Sequence, residues 1–274
     1  MDQKVLVKYL DAQKVKAVEI YDFESKKVKY SEKIKGWNIE KYRGEEEKVR
    51  SYLLAHLTND LGYKLESLEI EKEYSIGRPK VNKPRIDLIL RDANQNAFLY
   101  IEIKSPEEFE NNKDETIEKQ LFALAAQEVG QGRSVQYLVL YTYELISDDI
   151  RDKAIIIDYN KFSSFEAWKK SRDFADTIPF NFGKAQKIPF TKGGKKDLEK
   201  DFSKKYIESL QRNLHNVLWG GGGTDDNTIF SSLVNVILAK IQDESEKKSG
   251  DTYDFQLFKS RDGESFESCA LRII

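Results

Sequence analysis

Hydrophobic and polar positions follow two different periods along this chain. Up to about residue 190, short segments of alternating or mostly apolar residues, as in strands, stand between segments with helical spacing. Beyond residue 190, apolar residues recur only at the spacing of a helix. The pattern therefore predicts an α/β domain over residues 1–190 and a separate helical segment over residues 191–274.

Strands are predicted where alternation, or enrichment in β-branched and aromatic residues, is clearest. They are one or two short strands within residues 1–42 and the segments LESLEIEKEYS, RIDLILR, AFLYIEIKS, VQYLVLYTY and AIIIDY. The segment DANQN, which separates RIDLILR from AFLYIEIKS, is rich in turn-forming residues. These two strands are therefore expected to pair as a hairpin.

Helices are predicted where apolar residues recur every three or four positions. The first runs from about Gly44 to Asp60, with acidic residues in its first turn, and the second from about Asp114 to Val129. The segment SFEAWKKS is a third, short helix. Residues 196–218 and the segment after the GGGG run are expected to form two more. The residues that line one face of the last helix are Ile229, Leu233, Val236, Ile237 and Ile241.

Composition and charge exclude several functional classes. The chain has a net charge of −2, which argues against a dedicated high-affinity DNA-binding protein, and no apolar run is long enough to span a bilayer. The single cysteine, Cys269, cannot form an internal disulfide, which favours a reducing cytoplasm without contact to a membrane. With only two histidines, His56 and His215, a zinc site or a histidine-based nuclease is not expected.

Two neighbouring strand segments, RIDLIL and YIEIKSP, carry the residues with the clearest chemical potential. Residues two apart on a strand face the same way, so Glu102 and Lys104 share one face and their apolar neighbours share the other. Asp87 is flanked by apolar residues and points away from them. If the two strands pair as a hairpin, Asp87 lies beside Glu102, and two carboxylates and one ammonium group converge.

Such a cluster fits a magnesium site for phosphodiester hydrolysis. Two carboxylates a few ångströms apart repel each other, and a hard divalent cation with oxygen ligands relieves the repulsion. Bound Mg²⁺ stabilises the charge that develops on a phosphate and acidifies a bound water. Lys104 could orient or deprotonate that water, or neutralise the phosphate.

The same three residues also fit an ordinary salt-bridge cluster across two strands on a solvated face. The flanking residues in IDLIL and LYIEIK are strongly apolar, however, which indicates central strands. Charged residues inside central strands are costly unless they are paired or bind a metal. The apolar flanks therefore favour the metal site.

The residues around this cluster resemble the PD-(D/E)XK nuclease superfamily. In order and spacing, GEEEKVRSYLLAHLTNDLGY, RIDLIL and YIEIKSP are similar to the N-terminal nuclease domain of type I restriction enzyme R subunits and of related fused restriction–modification proteins. The resemblance covers roughly residues 40–145. It implies a restriction-endonuclease-like α/β fold with a mixed central β-sheet flanked by helices, followed in this chain by the C-terminal helical segment.

The resemblance also implies roles for residues of the two strands. Asp87 and Glu102 would be ligands of Mg²⁺, for which Mn²⁺ would substitute, with help from the carbonyl oxygen of Ile103. Lys104 would be the catalytic lysine. The residues that would contact the DNA backbone are Lys80, Lys83 and Arg85.

Two helices contribute further candidates by the same resemblance. Glu46, or else Glu47, would be the helix glutamate near the metal. Gln120 matches the glutamine of a Q-x-x-x-Y motif on the following helix. Leu124 stands where the tyrosine of that motif would be, so the motif is incomplete in this chain.

The segment LHNVLWGGGGTDDNTIFSSLVNVILAKIQDE resembles the start of the helical region that precedes the adenine-methyltransferase domain in type I M subunits and their fusions. It implies that methyltransferase and specificity domains or subunits are partners, with double-stranded DNA as the substrate. The expected function is a metal-dependent endonuclease domain that hydrolyses DNA phosphodiester bonds within a bacterial restriction–modification system. The alternatives are a non-catalytic nucleic-acid-binding or assembly module with the same fold and a PD-(D/E)XK nuclease of another class.

Overall fold

The chain divides into two units, residues 1–187 and residues 188–274. The structure is a computed structural model that describes residues 3–38, 41–74, 83–146, 149–194, 196–198, 204, 207–208, 211, 226–256 and 258. The strands of the first unit are β1 (Val18–Asp22), β2 (Lys27–Tyr30), β3 (Leu68–Glu73), β4 (Arg85–Arg91), β5 (Ala97–Ile103), β6 (Val135–Ile146) and β7 (Asp149–Asp158). Its helices are α1 (Gln3–Asp11), α2 (Glu45–Asn59), α3 (Pro106–Asn111), α4 (Lys113–Thr116), α5 (Ala123–Gly130) and α6 (Phe165–Ser171).

The centre of the first unit is a five-stranded sheet in the order β3-β4-β5-β6-β7. Strands β5 and β6 run parallel, whereas the other neighbouring strands run antiparallel, so the sheet is mixed. A separate antiparallel pair, β1 and β2, precedes it. The α/β class and the mixed sheet with flanking helices that the sequence predicted are thus confirmed.

Each face of the sheet is covered by helices because the strand residues alternate between two apolar clusters. Leu88 and Ile101 belong to the cluster that includes Leu53 and Leu57 of α2. Their strand neighbours, such as Tyr100, belong to the cluster on the other face, which includes residues of α3, α5 and α6. The charged residues of β4 and β5 therefore lie in strands that are buried on both sides.

The predicted helix from about Asp114 to Val129 is present, but its middle is wound more loosely than an α-helix. Between α4 and α5, residues Ile117–Phe122 form a π-helix. This segment packs against β5 and β6. π-Helical segments within α-helices are rare and are frequent at functional sites.

Residues 1–42 differ from the prediction at their beginning. Residues Gln3–Asp11 form the helix α1, whereas the sequence predicted only strands there. Leu6 and Leu10, one helical turn apart, are both fully buried, and this spacing outweighs the short local alternation in VLVKYL. The strands expected in KAVEIYDF and KKVKYSEKI are present as β1 and β2.

In the second unit, the described residues include one long helix, α7 (Asp226–Glu246). Its residues Val236, Ile237 and Ile241 are 50%, 49% and 55% exposed, so they do not form the buried face that their spacing indicates. Most of the predicted helix 196–218, together with Lys80, His215 and Cys269, lies outside the described residues. Among the residues that are described, none forms a helix long and apolar enough to cross a membrane.

Candidate active site

The hairpin of β4 and β5 brings the three strand candidates together. Leu88 pairs with Ile101 across the hairpin, and the same register continued by one residue sets Asp87 opposite Glu102. Lys104 directly follows β5, and its Nζ lies 2.7 Å from Oε1 of Glu102. The expected convergence of two carboxylates and one ammonium group is therefore observed.

Asp87 is 2% exposed and both of its carboxylate oxygens accept hydrogen bonds. Oδ2 accepts from the backbone N–H of Ile103 at 2.9 Å. Oδ1 accepts from Arg43 at 2.6 Å and from Arg50 at 3.3 Å. Burial raises the pKa of Asp87, but the two guanidinium groups and the amide outweigh burial and leave the pKa below its ordinary value. Asp87 is therefore ionised at neutral pH.

Glu102 has the opposite electrostatic balance. Burial, and next the negative charge of Asp87, raise its pKa well above the ordinary value, although Lys104 acts in the other direction. Its Oε2 is buried and accepts no hydrogen bond from the described residues, and a hydrogen bond from the neutral side chain to Asp87 raises the pKa further. An unpartnered carboxylate oxygen in the interior is costly, and a cation or a donor would relieve that cost.

Lys104 is held in its charged form. Burial lowers the pKa of its ammonium group, but the carboxylates of Glu102, Asp87 and Glu46 outweigh burial and raise it above the ordinary value. A lysine whose pKa is raised does not release its proton near neutral pH. Lys104 is therefore suited to electrostatic stabilisation rather than to deprotonating water.

The two helix glutamates of the sequence analysis have different surroundings. Glu46 lies 3.7 Å from Nζ of Lys104, and its pKa is raised, mainly by burial and also by the charge of Asp87. Glu47 is fully buried, accepts a hydrogen bond from Tyr30 and pairs with Arg50. The structure thus brings Glu46, and not Glu47, next to the strand residues.

Gln120 lies in the π-helix between α4 and α5. Its Oε1 is buried and accepts no hydrogen bond from the described residues. Two acceptor oxygens without a donor, this one and Oε2 of Glu102, therefore belong to the candidate residues. Buried acceptors of this kind are uncommon in native proteins and require an explanation.

Three residues that the sequence analysis did not select complete the cluster: Arg43, Arg50 and Glu71. Glu71 accepts hydrogen bonds from Arg50 at 2.5 Å and from Arg43 at 3.2 Å. It has a φ of 54°, which is unusual for a residue other than glycine within a strand. The signals available in the sequence were the charged side chain of Arg50 on a helix face with leucines and the acidic alternation in LEIEKE.

The same part of the chain matches a known protein family. Residues 45–167 match the family model described as type I restriction enzyme R protein N terminus. This segment is a type I restriction enzyme R protein N-terminal domain. No curated protein sequence matches the chain. The R-protein domain runs from the start of α2 into α6 and contains every strand of the five-stranded sheet.

Within the R-protein domain, two of the proposed DNA-contacting residues are paired with acids. Arg85 lies 2.7 Å from Oε2 of Glu71 through its Nε, and Lys83, just over half exposed, lies 3.6 Å from Glu73. Arg85 is therefore part of the charged cluster. The third residue, Lys80, lies outside the described residues.

The acidic residues of the R-protein domain suit a magnesium ion that is bound by only one or two carboxylates. No group of three or more His, Cys, Asp or Glu side chains in the described part of the chain is arranged to hold a metal. Mg²⁺ is commonly bound through one or two carboxylates and otherwise by water and substrate phosphate. Asp87, which is ionised, and Glu102, which has an unpartnered buried oxygen, supply that donor set.

Proposed function

We propose that the R-protein domain is a Mg²⁺-dependent endonuclease that hydrolyses phosphodiester bonds of double-stranded DNA. The observation that carries the proposal is the buried pair of carboxylates, Asp87 and Glu102, with Lys104 at 2.7 Å from Glu102. An ordinary salt-bridge cluster would supply donors to its ionised carboxylates, whereas Oε2 of Glu102 accepts no hydrogen bond from the described residues, and Glu102 is left to share a proton with Asp87. The family match supports a component of a restriction system.

In this proposal, Asp87 and Glu102 hold the divalent ion, with Mn²⁺ as a substitute for Mg²⁺. The bound ion supplies Lewis acidity toward the phosphate and lowers the pKa of a coordinated water. The carbonyl oxygen of Ile103 is a further candidate ligand. The backbone N–H of the same residue donates a hydrogen bond to Asp87, so Ile103 lies beside this metal ligand. Gln120 offers one more buried acceptor oxygen.

The neighbouring charged residues have separate tasks. Lys104 stays protonated because its pKa is raised, so it stabilises the negative charge that develops on the phosphate. Glu46 has a raised pKa and is thus a stronger base than an ordinary carboxylate, which suits it to accept a proton from the attacking water. Lys83 and Lys80 are candidates for contacts to the DNA backbone, which position the duplex without reading its sequence.

The proposed partners follow from the type I restriction context. We propose that methyltransferase and specificity domains or subunits act together with this chain, because a chain with a net charge of −2 supplies little of the electrostatic affinity for DNA by itself. The resemblance of the C-terminal segment to the start of a type I M-subunit helical region supports the same proposal.

The alternative function is a non-catalytic nucleic-acid-binding or assembly module. The pairing of Asp87 with Arg43 and Arg50 favours it, because a balanced ion cluster can serve stability alone. A module of this kind would bind DNA in the presence of EDTA and would leave supercoiled plasmid intact in Mg²⁺.

Nicking of supercoiled plasmid with Mg²⁺ or Mn²⁺ separates the two functions. We expect cleavage that EDTA abolishes and that Lys104→Ala lowers at least about a hundredfold, the loss typical of removing one transition-state donor. Lys161→Ala is the matched control, because Lys161 forms a surface pair with Asp173 away from the cluster. Equal cleavage by both variants would refute the role of Lys104, and no cleavage by wild-type protein, alone or with its partner subunits, would favour the non-catalytic module.

A further inference from the structure

Arg43 contacts Asp87, one of the two proposed metal ligands, and two further carboxylates. Its Nη1 lies 2.6 Å from Oδ1 of Asp87 and 3.8 Å from Oε2 of Glu46, and its Nη2 lies 3.2 Å from Oε2 of Glu71. A divalent ion bound at Oδ1 of Asp87 would meet the guanidinium group at the same oxygen. The two cations would then compete for that oxygen.

Arg50 contacts two of the same carboxylates, those of Asp87 and Glu71, but it is more deeply buried. Its side chain is 0% exposed, whereas that of Arg43 is 19% exposed. Arg50 lies inside α2 and is held by Glu47, Glu71 and Asp87 at once. A fully buried guanidinium group cannot leave its carboxylates without large loss of free energy, because water does not replace them.

Arg43 does not belong to the helix that carries Arg50. Arg43 lies in the loop before α2, and Gly44 separates it from the first residue of the helix. Gly44 has φ 63° and ψ −122°, a conformation that other residues rarely adopt. Arg43 therefore lies outside the helix, before its N-cap residue Gly44, whereas Arg50 is part of the helix.

We propose that Arg43 is the exchangeable counter-ion of the site, which a divalent cation displaces from Oδ1 of Asp87 while Arg50 remains bound. The inference rests on the proposed function, because it takes Asp87 and Glu102 as the metal ligands. It adds a competing internal cation to that site. Metal affinity is accordingly lowered by the contact between Arg43 and Asp87.

Calorimetric titration of the metal-free protein with Mn²⁺ tests the competition without any measurement of cleavage. We expect Arg43→Gln to bind Mn²⁺ about tenfold more tightly than wild type, which corresponds to about 1.4 kcal/mol. Arg85→Gln is the matched control, because Arg85 contacts Glu71 and loses the same charge in the same cluster. We expect its affinity to change less than that of Arg43→Gln, because Arg43 contacts Oδ1 of Asp87 directly, whereas Arg85 contacts Glu71.

A Glu102→Gln variant separates failure of the inference from failure of the proposed site. If Glu102→Gln binds Mn²⁺ as tightly as wild type, the metal does not bind here, and the proposed function and the inference both fail. If Glu102→Gln weakens binding at least about tenfold but Arg43→Gln and Arg85→Gln behave alike, the site stands and displacement is refuted.

A second measurement follows the two arginines in the wild-type protein. In wild-type protein, we expect Mg²⁺ to shift the NMR signal of the Nε–H group of Arg43 and to leave that of Arg50 in place. The Arg43→Gln spectrum assigns the first signal. If the protein is saturated with Mg²⁺ and the Arg43 signal does not shift, the proposal is overturned.

Discussion

Two clusters of buried charge share strands β3 and β4, and they differ in how completely their acids are paired. In the Arg91 cluster, formed by Arg91, Glu69, Glu128 and Tyr74, Arg91 pairs with Glu69 at 2.6 Å and with Glu128 at 2.8 Å. Tyr74 donates to the second oxygen of Glu128 at 2.5 Å. Burial raises the pKa of each of the two glutamates, but their partners outweigh burial and lower it: Lys35 and Arg91 for Glu69, and Tyr74 and Arg91 for Glu128.

The Asp87 cluster lies only a few residues away along the same strands and is formed by Asp87, Glu102, Glu46, Glu71, Lys104, Arg43, Arg50 and Arg85. Here the pKa of Glu102 and that of Glu46 are raised, mainly by burial. Among the described residues, each cluster contains a buried guanidinium nitrogen without a partner, Nε of Arg50 and Nη2 of Arg91, but only the Asp87 cluster contains a buried carboxylate oxygen that accepts no hydrogen bond, Oε2 of Glu102.

The opposite pKa shifts of the buried acids distinguish a cluster that stabilises the fold from a cluster that is a candidate for function. A buried acid whose partners lower its pKa stabilises the fold in the ionised form. A buried acid whose pKa is raised costs stability and is retained where it has another task, so perturbed groups concentrate at functional sites. The comparison can be tested by breaking one cluster at a time.

The largest effect on stability is expected from Arg91→Met. The substitution leaves the buried carboxylates of Glu69 and Glu128 without their shared cation, so the free energy of unfolding should fall by roughly 3–5 kcal/mol. The shift of the urea midpoint measures it. Lys119→Met removes the cation of an exposed pair with Glu115 and should leave the midpoint unchanged. Equal midpoints for the two variants would contradict the structural role of the Arg91 cluster.

Glu102→Gln should separate activity from stability in the Asp87 cluster. Plasmid nicking should fall at least about a hundredfold, or about 2.7 kcal/mol of activation free energy, because a proposed metal ligand is lost. The free energy of unfolding should rise or stay within about 1 kcal/mol, since a buried acid beside Asp87 becomes neutral.

Glu69→Gln is the matched control for that variant. It makes the same chemical change in the Arg91 cluster, so stability should fall while nicking by the folded protein is retained. If Glu102→Gln instead loses as much stability as Glu69→Gln and keeps its activity, the two clusters do not differ in the proposed way.

The smallest effect on the free energy of unfolding is expected from the titration of His56. His56 contacts Asp60 at 2.8 Å and Asp152 at 3.0 Å through its two ring nitrogens. Burial lowers the pKa of His56, but the two carboxylates outweigh burial and raise it above the ordinary value. Its contribution to stability is therefore complete below the unfolded-state pKa of about 6.5 and is lost as pH rises through the folded-state pKa.

Urea unfolding of wild type and His56→Gln across this pH range measures that contribution. The wild type should be more stable than His56→Gln at acidic pH, and the difference should shrink as pH rises. A difference that grows with pH would show that the imidazolium is not the stabilising form.

Local patterns predicted most of the first unit because each depends on neighbouring residues. The alternation in RIDLILR and AFLYIEIKS and the turn residues between them predicted the hairpin, and with it the meeting of Asp87 and Glu102. Local patterns failed at α1, where burial of Leu6 and Leu10 against distant residues decided the structure. They also gave no indication of the π-helix that carries Gln120.

The sequence by itself determined the α/β class, the order of strands and helices around the site, and the meeting of Asp87, Glu102 and Lys104, because these follow from spacing and residue type. Only the tertiary structure decided how these charges are balanced. Arg43, Arg50 and Glu71 come from a loop, a helix and a neighbouring strand, and no sequence period links them. The pKa directions of Asp87 and Glu102 depend on those long-range neighbours and on burial, so they are properties of the folded chain.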